Sequence, residues 1–295
     1  MGSIHSLLVS KNKDISKKVD TTVSIIGIGF VGGAMLDCFK AKNIPVKGYD
    51  KFKQFDSFED CAKTDIMFLC LPTLFNESKN EYDKIPIFET CEKLELLKYT
   101  GIVVIKSTIE PTTTNSLATK FPTLKFIHNP EFLTAVTALH DFENQSHIVL
   151  GKCICESSII QDEDVELVHS FYTKVFPKAQ ISICSSLESE SMKIFLNCFY
   201  ATKIQFFNEL YLLCGNMDCD YNTVMELMLK NKWINPMHTK VPGTDGKLSY
   251  GGFCFPKDTR ALLEHMKRVD TPHAILEAVI EERDQMRSDN VNIQK

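Results

Sequence analysis

Thr22-Val23-Ser24-Ile25-Ile26-Gly27-Ile28-Gly29-Phe30-Val31-Gly32 decides how the rest of the chain is read. The β-branched run is a short strand ending in glycine. Apolar residues then fall at helical spacing from Phe30 to Lys42, and Pro45 to Tyr49 is extended again. A strand that passes through Gly-x-Gly-x-x-Gly into a helix gives each glycine a task. One makes a tight turn, one lets backbone approach a pyrophosphate, and one permits close packing of helix on strand, with phosphate at the helix N-terminus. Asp50 ends the next extended run, where a carboxylate accepts the ribose hydroxyls of a dinucleotide and repels a 2′-phosphate. NAD is therefore favoured over NADP, although Lys51 and Lys53 pull the other way.

Working outward, apolar runs recur at Ile66 to Leu71, Ile102 to Ile105, Leu124 to Ile127, His147 to Leu150 and Ile181 to Cys184, with helical segments near Ile85 to Lys98 and Asp164 to Lys174. Strands alternating with helices predict an α/β fold: a Rossmann-type, doubly wound, mostly parallel sheet over residues 21–185. From Ser186 the period becomes helical. Met192, Phe195, Leu196, Phe199, Ile204, Phe207, Leu210 and Leu213 run to Gly215 without a proline, a helix of about 30 residues and about 45 Å. So long an apolar stripe asks to be buried against other helices or a second chain, and a homodimer through this helix is expected. A helix at Tyr221 to Lys230, an irregular glycine-bearing stretch over 231–257, and helices at Asp258 to Arg268 and His273 to Arg287 complete an all-helical region, 186–295. Residues 1–20, with Lys11, Lys13, Lys17 and Lys18 and no small-residue cleavage site after them, read as a flexible leader.

Composition removes several function classes. A net charge of -5 gives no reason for the surface to attract phosphate backbones, so nucleic acid is not an expected partner. The 11 cysteines are scattered and mostly set in apolar runs, as reduced core thiols are, and without a CxxC pair no metal site is expected. Val23 to Leu36 is too short for a bilayer, which takes about 20 apolar residues, so no membrane span is expected. The expected location is the cytoplasm, or that of a host.

Three further clusters carry chemistry. Asn129-Pro130-Glu131-Phe132-Leu133 follows a strand at the edge where open α/β sheets bind ligands, and Glu131 is either a base or water-orienting group, or a carboxylate favoured by a helix dipole. Lys193 and Asn197 are four apart on one helix face, able to hold a single polar atom or to form a solvated stripe. Gly251-Gly252-Phe253-Cys254-Phe255-Pro256-Lys257-Asp258 sets a thiol in a glycine-rich loop before a helix. There Cys254 is either a nucleophile with a lowered pKa or a core thiol.

The order of these pieces, GIGFVG, KSTIEPTTT (Lys106 to Thr114), NPEFL, E-x-x-K-x-x-x-N (Glu190, Lys193, Asn197) and GGFCFPKD, resembles the UDP-glucose dehydrogenase family of nucleotide-sugar 6-dehydrogenases over roughly residues 22 to 262. The resemblance implies oxidation of a sugar C6 alcohol to a carboxylate with two NAD, UDP-glucose being the leading substrate, through a thioester on Cys254. It implies that Lys193 and Asn197 stabilise an oxyanion. It further implies that Asp258 works with Lys193 and a water, and that Thr108 and Glu131 position or activate water. The cofactor contacts would be Gly27, Gly29, Phe30, Val31, Gly32, Asp50, Lys51, Pro72, Thr73, Ser107 and Thr108. Phe132, Leu133, Lys193, Asn197, Trp233, Lys240, Tyr250, Gly251 and Gly252 would meet the nucleotide sugar.

This sequence also departs from the pattern. Ala135 stands where the family usually carries a second glutamate, and the chain stops where typical members continue into a domain that binds much of the UDP. Three rival readings therefore stand beside the first: a GDP-mannose or UDP-N-acetylhexosamine dehydrogenase, a β-hydroxyacid dehydrogenase, and a non-catalytic NAD-binding protein.

Overall fold

A computed structural model of the chain describes residues 21–289; the leader expected over 1–20 lies outside the described residues. The first half alternates strand and helix: β1 (Val23–Ile26), α1 (Phe30–Ala41), β2 (Val46–Tyr49), α2 (Phe58–Cys61), β3 (Ile66–Leu69), a small hairpin of β4 (Phe75–Asn76) and β5 (Glu81–Tyr82), α3 (Ile85–Leu96), β6 (Ile102–Ile105), α4 (Thr113–Lys120), β7 (Lys125–His128), α5 (Ala138–Glu143), β8 (His147–Lys152), α6 (Asp162–Val175) and β9 (Gln180–Ser185). Seven strands form one sheet in the order β2-β1-β3-β6-β7-β8-β9, parallel except where β8 runs against β7. Every residue of β1, β3 and β6 is buried, because helices cover both faces of the sheet. Chain order reverses between β1 and β3, and at that switch point the carboxyl ends of the strands open a crevice.

The second half is helical: α7 (Ser186–Asn216), α8 (Tyr221–Leu229), α9 (Phe255–Arg268) and α10 (Ala274–Met286). Ser185 and Glu188 form a reciprocal capping box at the start of α7. That register turns Ser189 and Glu190 inward instead of using them as caps. Ser189 Oγ lies 2.8 Å from His128 Nδ1, and Glu190 accepts the Thr112 and Thr114 N–H groups, each at 2.7 Å, at the start of α4. The N-terminal part of α7 is thus bolted to the sheet edge. Farther along, Phe195, Phe199 and Phe206 stand 53%, 61% and 51% exposed on the same helix. Among the described residues no helix is long and apolar enough to cross a membrane.

Helix α9 starts three residues before the sequence expectation. Pro256 lies in its first turn, where a missing N–H costs nothing, and Cys254 becomes the N-cap. The loop before it is fixed from two helices. Ser249 donates to Gln205 Oε1 at 2.5 Å and its N–H to Asn208 Oδ1 at 2.8 Å, both on α7. Arg287 donates to the Leu248 and Ser249 carbonyls at 3.2 Å, and Arg283 to the Tyr250 carbonyl at 3.3 Å. The Arg287 guanidinium packs where a side chain at Gly251 would have to go.

Candidate active site

The glycine turn is built as its spacing demands. Gly27 has φ +90°, and a Cβ there would stand 2.5 Å from the Cys70 carbonyl oxygen. A Cβ on Gly32 would collide with the Gly27 carbonyl, whereas one on Gly29 meets nothing within 4 Å. The backbone at the α1 N-terminus therefore faces open space, which fits a pyrophosphate. Asp50 is held at the mouth of this turn, accepting the Ile28 N–H at 2.8 Å and the Phe52 N–H at 2.9 Å. Lys53 Nζ donates to the Ile28 carbonyl at 2.5 Å, while exposed Lys51 faces Glu89 at 3.9 Å. Phe30 is exposed and Val31 half-buried beside the turn.

Across the switch point the ends of β3 and β6 are tied together. Ser107 Oγ donates to the Leu71 carbonyl at 2.7 Å and accepts the Leu71 N–H at 3.0 Å, and Thr73 Oγ1 donates to the Thr108 carbonyl at 2.7 Å. Pro72, Thr73, Ser107 and Thr108 thus share one edge of the crevice.

Beyond that edge a second group of side chains converges from distant parts of the chain. Lys193 Nζ, almost fully buried, donates to the Glu131 carbonyl at 2.5 Å and to Glu131 Oε1 at 3.2 Å, and it lies 5.4 Å from the Phe132 ring centroid. Glu131 Oε2 accepts the Leu133 N–H at 2.6 Å, which folds the NPEFL turn over the lysine. Lys106, buried at the end of β6, holds the same turn by donating to Asn129 Oδ1 at 3.0 Å, and burial pushes its ammonium down to about 8.

One helical turn along α7, Asn197 Nδ2 donates to Asp258 Oδ2 at 2.6 Å. The other oxygen of that fully buried carboxylate accepts from Lys257 Nζ and from the Tyr82 hydroxyl, each at 2.5 Å. Lys193 is therefore paired with Glu131, and Asp258 with Asn197, Lys257 and Tyr82. Lys193 and Asp258, which the resemblance links through a water, thus belong to two charged clusters on successive turns of α7.

Cys254 Sγ feels both. Burial pushes its thiol above the ordinary value, with Asp258 and Glu131 adding to that effect and Lys257 and Lys193 opposing it. Of the two sequence readings of Cys254, the lowered thiol pKa at a helix N-terminus is opposed here by burial and two carboxylates.

Three candidate substrate contacts lie elsewhere. Tyr250 is buried, with the Arg283 guanidinium carbon 5.9 Å from its ring centroid. It supports the Cys254 loop and offers no exposed face to a nucleotide sugar, which corrects the expectation of a substrate contact. Trp233 is 93% exposed and lines a shallow apolar depression with Leu227, Met228, Asn231 and Ile234, none of which belongs to the group around Cys254. Lys240 is exposed on the same irregular segment. Gly252, with φ +77° and open space at its Cβ position, and Gly251 form the turn that leads into Cys254. Sequence reasoning missed Tyr82 and the structural use of Lys257 and Lys106. Both lysines lie inside the quoted motifs, whereas Tyr82 lies 176 residues from Asp258 and carried no signal.

A glycine turn at a sheet switch point, beside a buried set of lysine, asparagine, carboxylates and a thiol, defines a dinucleotide-dependent dehydrogenase class of site. Residues 51–174 match the NAD binding domain, and residues 187–284 the central domain, of the UDP-glucose/GDP-mannose dehydrogenase family. The chain belongs to that family, and its cofactor is NAD. It is 30% identical over 236 residues to the UDP-glucose 6-dehydrogenase of Rickettsia bellii, an alignment covering 77% of this chain and 51% of that protein. The chain spans about half the length of that relative, as it does of the UDP-glucose 6-dehydrogenase of Campylobacter jejuni, at 25% identity over 74% of this chain and 52% of that protein. Its fold is similar to that of a UDP-glucose dehydrogenase from the archaeon Pyrobaculum islandicum, with a TM-score of 0.78 at 24% identity over 92% of this chain and 70% of that one.

Proposed function

We propose that the chain is an NAD-dependent nucleotide-sugar 6-dehydrogenase that converts UDP-glucose to UDP-glucuronate. The observation that carries this reading is the meeting of two buried charged clusters, Lys193 with Glu131 and Asp258 with Asn197 and Lys257, on successive turns of α7 at the start of α9, whose N-cap is Cys254. Two NAD, bound one after the other, would supply the hydride acceptors, one for the alcohol-to-aldehyde step and one for the second oxidation. Gly27, Gly29 and Gly32 admit the pyrophosphate of each, Asp50 its ribose, and the Thr73–Thr108 edge closes the crevice.

The remaining work falls to the chain's own groups. One Asn197 N–H is taken by Asp258, which leaves the other to donate to the substrate C6 oxygen together with the Lys193 ammonium. The Cys254 sulfur adds to the aldehyde carbon, and the thiol proton ends on the former carbonyl oxygen. Loss of the second hydride and of that proton leaves a thioester. Water, oriented by Glu131 and Thr108, adds to the thioester carbon, the carbon–sulfur bond breaks, and the thiol and a carboxylate are released. Ala135, exposed on the turn after Glu131, leaves Glu131 as the carboxylate of that turn assigned to water.

Residues 21–185 serve as the NAD region and, of the expected helical region 186–295, the described residues 186–289 bring the reacting groups; 290–295 lie outside the described residues. Phe195, Phe199 and Phe206 on α7 are assigned to a homodimer. All eleven cysteines are free, which supports a reducing compartment, the cytoplasm.

The test is the number of NADH formed per nucleotide sugar consumed, with UDP-glucose leading a panel that includes GDP-mannose and UDP-N-acetylhexosamines. Two NADH and a uronate are expected. Cys254→Ser should stop the reaction before the carboxylate, and a full yield of uronate from that variant would sink the thioester assignment. One NADH per product from the unchanged protein would sink the four-electron reading.

A further inference from the structure

Tyr82 reaches Asp258 from a hairpin that lies outside all of the sequence motifs. Contacts away from the reacting groups hold that hairpin. Glu110 accepts the Tyr82 N–H at 3.3 Å and pairs with Lys84 at 2.5 Å, and Arg268 near the end of α9 donates to the Asn80 carbonyl at 3.0 Å. The ring is buried in a cluster that includes Phe75, Ile194, Cys198 and Leu262, and Lys257 Nζ lies 4.5 Å from its centroid. The position of the phenol is therefore set by its own backbone and packing before any bond to Asp258 is made. Burial beside Asp258 also raises the phenol pKa far above its ordinary value, which keeps the hydroxyl a permanent donor.

A carboxylate turns about its side-chain bonds, so the donors on one oxygen decide where the other one points. Here Oδ1 accepts Tyr82 and Lys257, and Oδ2 is left to take the Asn197 amide. Lys257 neutralises the charge, but it is an ammonium on a flexible stem next to Asp258 in sequence and gives little direction. The phenol hydroxyl comes from a fixed ring. We propose that Tyr82 is a positioning residue of the active site: by pinning Oδ1 of Asp258 it orients Oδ2, which fixes the way Asn197 presents its second N–H. The catalytic consequence rests on the proposed dehydrogenase reading; the geometric claim does not.

Tyr82→Phe keeps the ring, its packing and the contact with Lys257, and removes only the hydroxyl. The expected result is a kcat lowered about 10-fold, the scale of one hydrogen bond to a charged group, with KM for NAD and for the sugar nucleotide unchanged and the thermal midpoint lowered by the loss of that buried bond. In parallel, the side-chain amide resonance of Asn197 in 15N-asparagine-labelled protein, assigned by its loss in Asn197→Ser, should shift in Tyr82→Phe. A kcat within twofold of the unchanged protein, or an Asn197 resonance that does not move, overturns the proposal. If the unchanged protein makes no NADH from any nucleotide sugar, the dehydrogenase reading has failed, and the Asn197 resonance alone decides the positioning claim. Should Tyr82→Phe not fold, 3-fluorotyrosine placed at 82 keeps ring and hydroxyl while changing donor strength, and the same resonance must then move.

Discussion

Cys254 illustrates how two true local arguments oppose each other at one atom. A helix N-terminus favours a thiolate, but the Cys254 thiol is desolvated and lies in the field of Asp258 and Glu131, and it is pushed up. A raised pKa means less thiolate at neutral pH and a reactivity that climbs only in the alkaline range. Carboxymethylation of Cys254, followed by peptide mass spectrometry across pH, should therefore inflect above the value of a free cysteine. An inflection below that value would show that the helix and the lysines win. Helical spacing put Lys193 and Asn197 on one face and a glycine-rich loop singled out Cys254, but only the order of motifs shared with the family joined them into one candidate site. The Lys193–Glu131 bond and the Tyr82–Asp258 bond were not legible, since they join segments 62 and 176 residues apart and depend on packing that no spacing encodes.

At the scale of elements, the strands and long helices follow from periodicity, whereas α2, α4, α5 and the β4–β5 hairpin are too short to show a period. The junction of α7 with the sheet is the element contact on which the site depends, because it places Lys193 and Asn197 over the crevice. Glu190 makes that junction by accepting two backbone N–H groups at the start of α4 and the Thr114 hydroxyl at 2.5 Å. Burial nevertheless pushes its carboxyl up to about 7, against those donors. The folded state then holds a proton that the unfolded chain has released, so the stability this group contributes is complete below the ordinary glutamate value and is lost as pH rises through about 7. Unfolding by denaturant at a series of pH values should show a decline between about 4.5 and about 7 approaching ~1.4 kcal/mol per pH unit at its steepest. Glu190→Gln, which cannot ionise, should remove that share of the slope while lowering stability overall, since its NH2 must face one of the two backbone N–H donors, Thr112 or Thr114. Equal slopes in the two proteins would mean that the three donors keep Glu190 ionised throughout.

For the whole molecule, the question left by α7 is what covers its outer face. The inner side carries Glu190, Lys193, Asn197 and Ala201 into the core, while Phe195, Phe199 and Phe206 remain more than half exposed. Spacings of four and seven place these three rings on one stripe of the helix. Sequence periodicity identified the apolar stripe but could not divide it between the core and a second copy, because both burials use the same residues. A second α7 packed on this face would bury the exposed half of each ring, worth about 1–1.5 kcal/mol apiece, which offsets much of the loss of freedom on association. Phe199→Asp puts an unpaired charge at the centre of the stripe without touching Lys193 or Asn197. Sedimentation equilibrium at micromolar protein should give twice the chain mass for the unchanged protein and the chain mass for the variant, with the helical circular dichroism of both alike. A single-chain mass for the unchanged protein would remove the dimer and leave α7 with an exposed aromatic face, whereas a double mass in both proteins would move the interface to another surface.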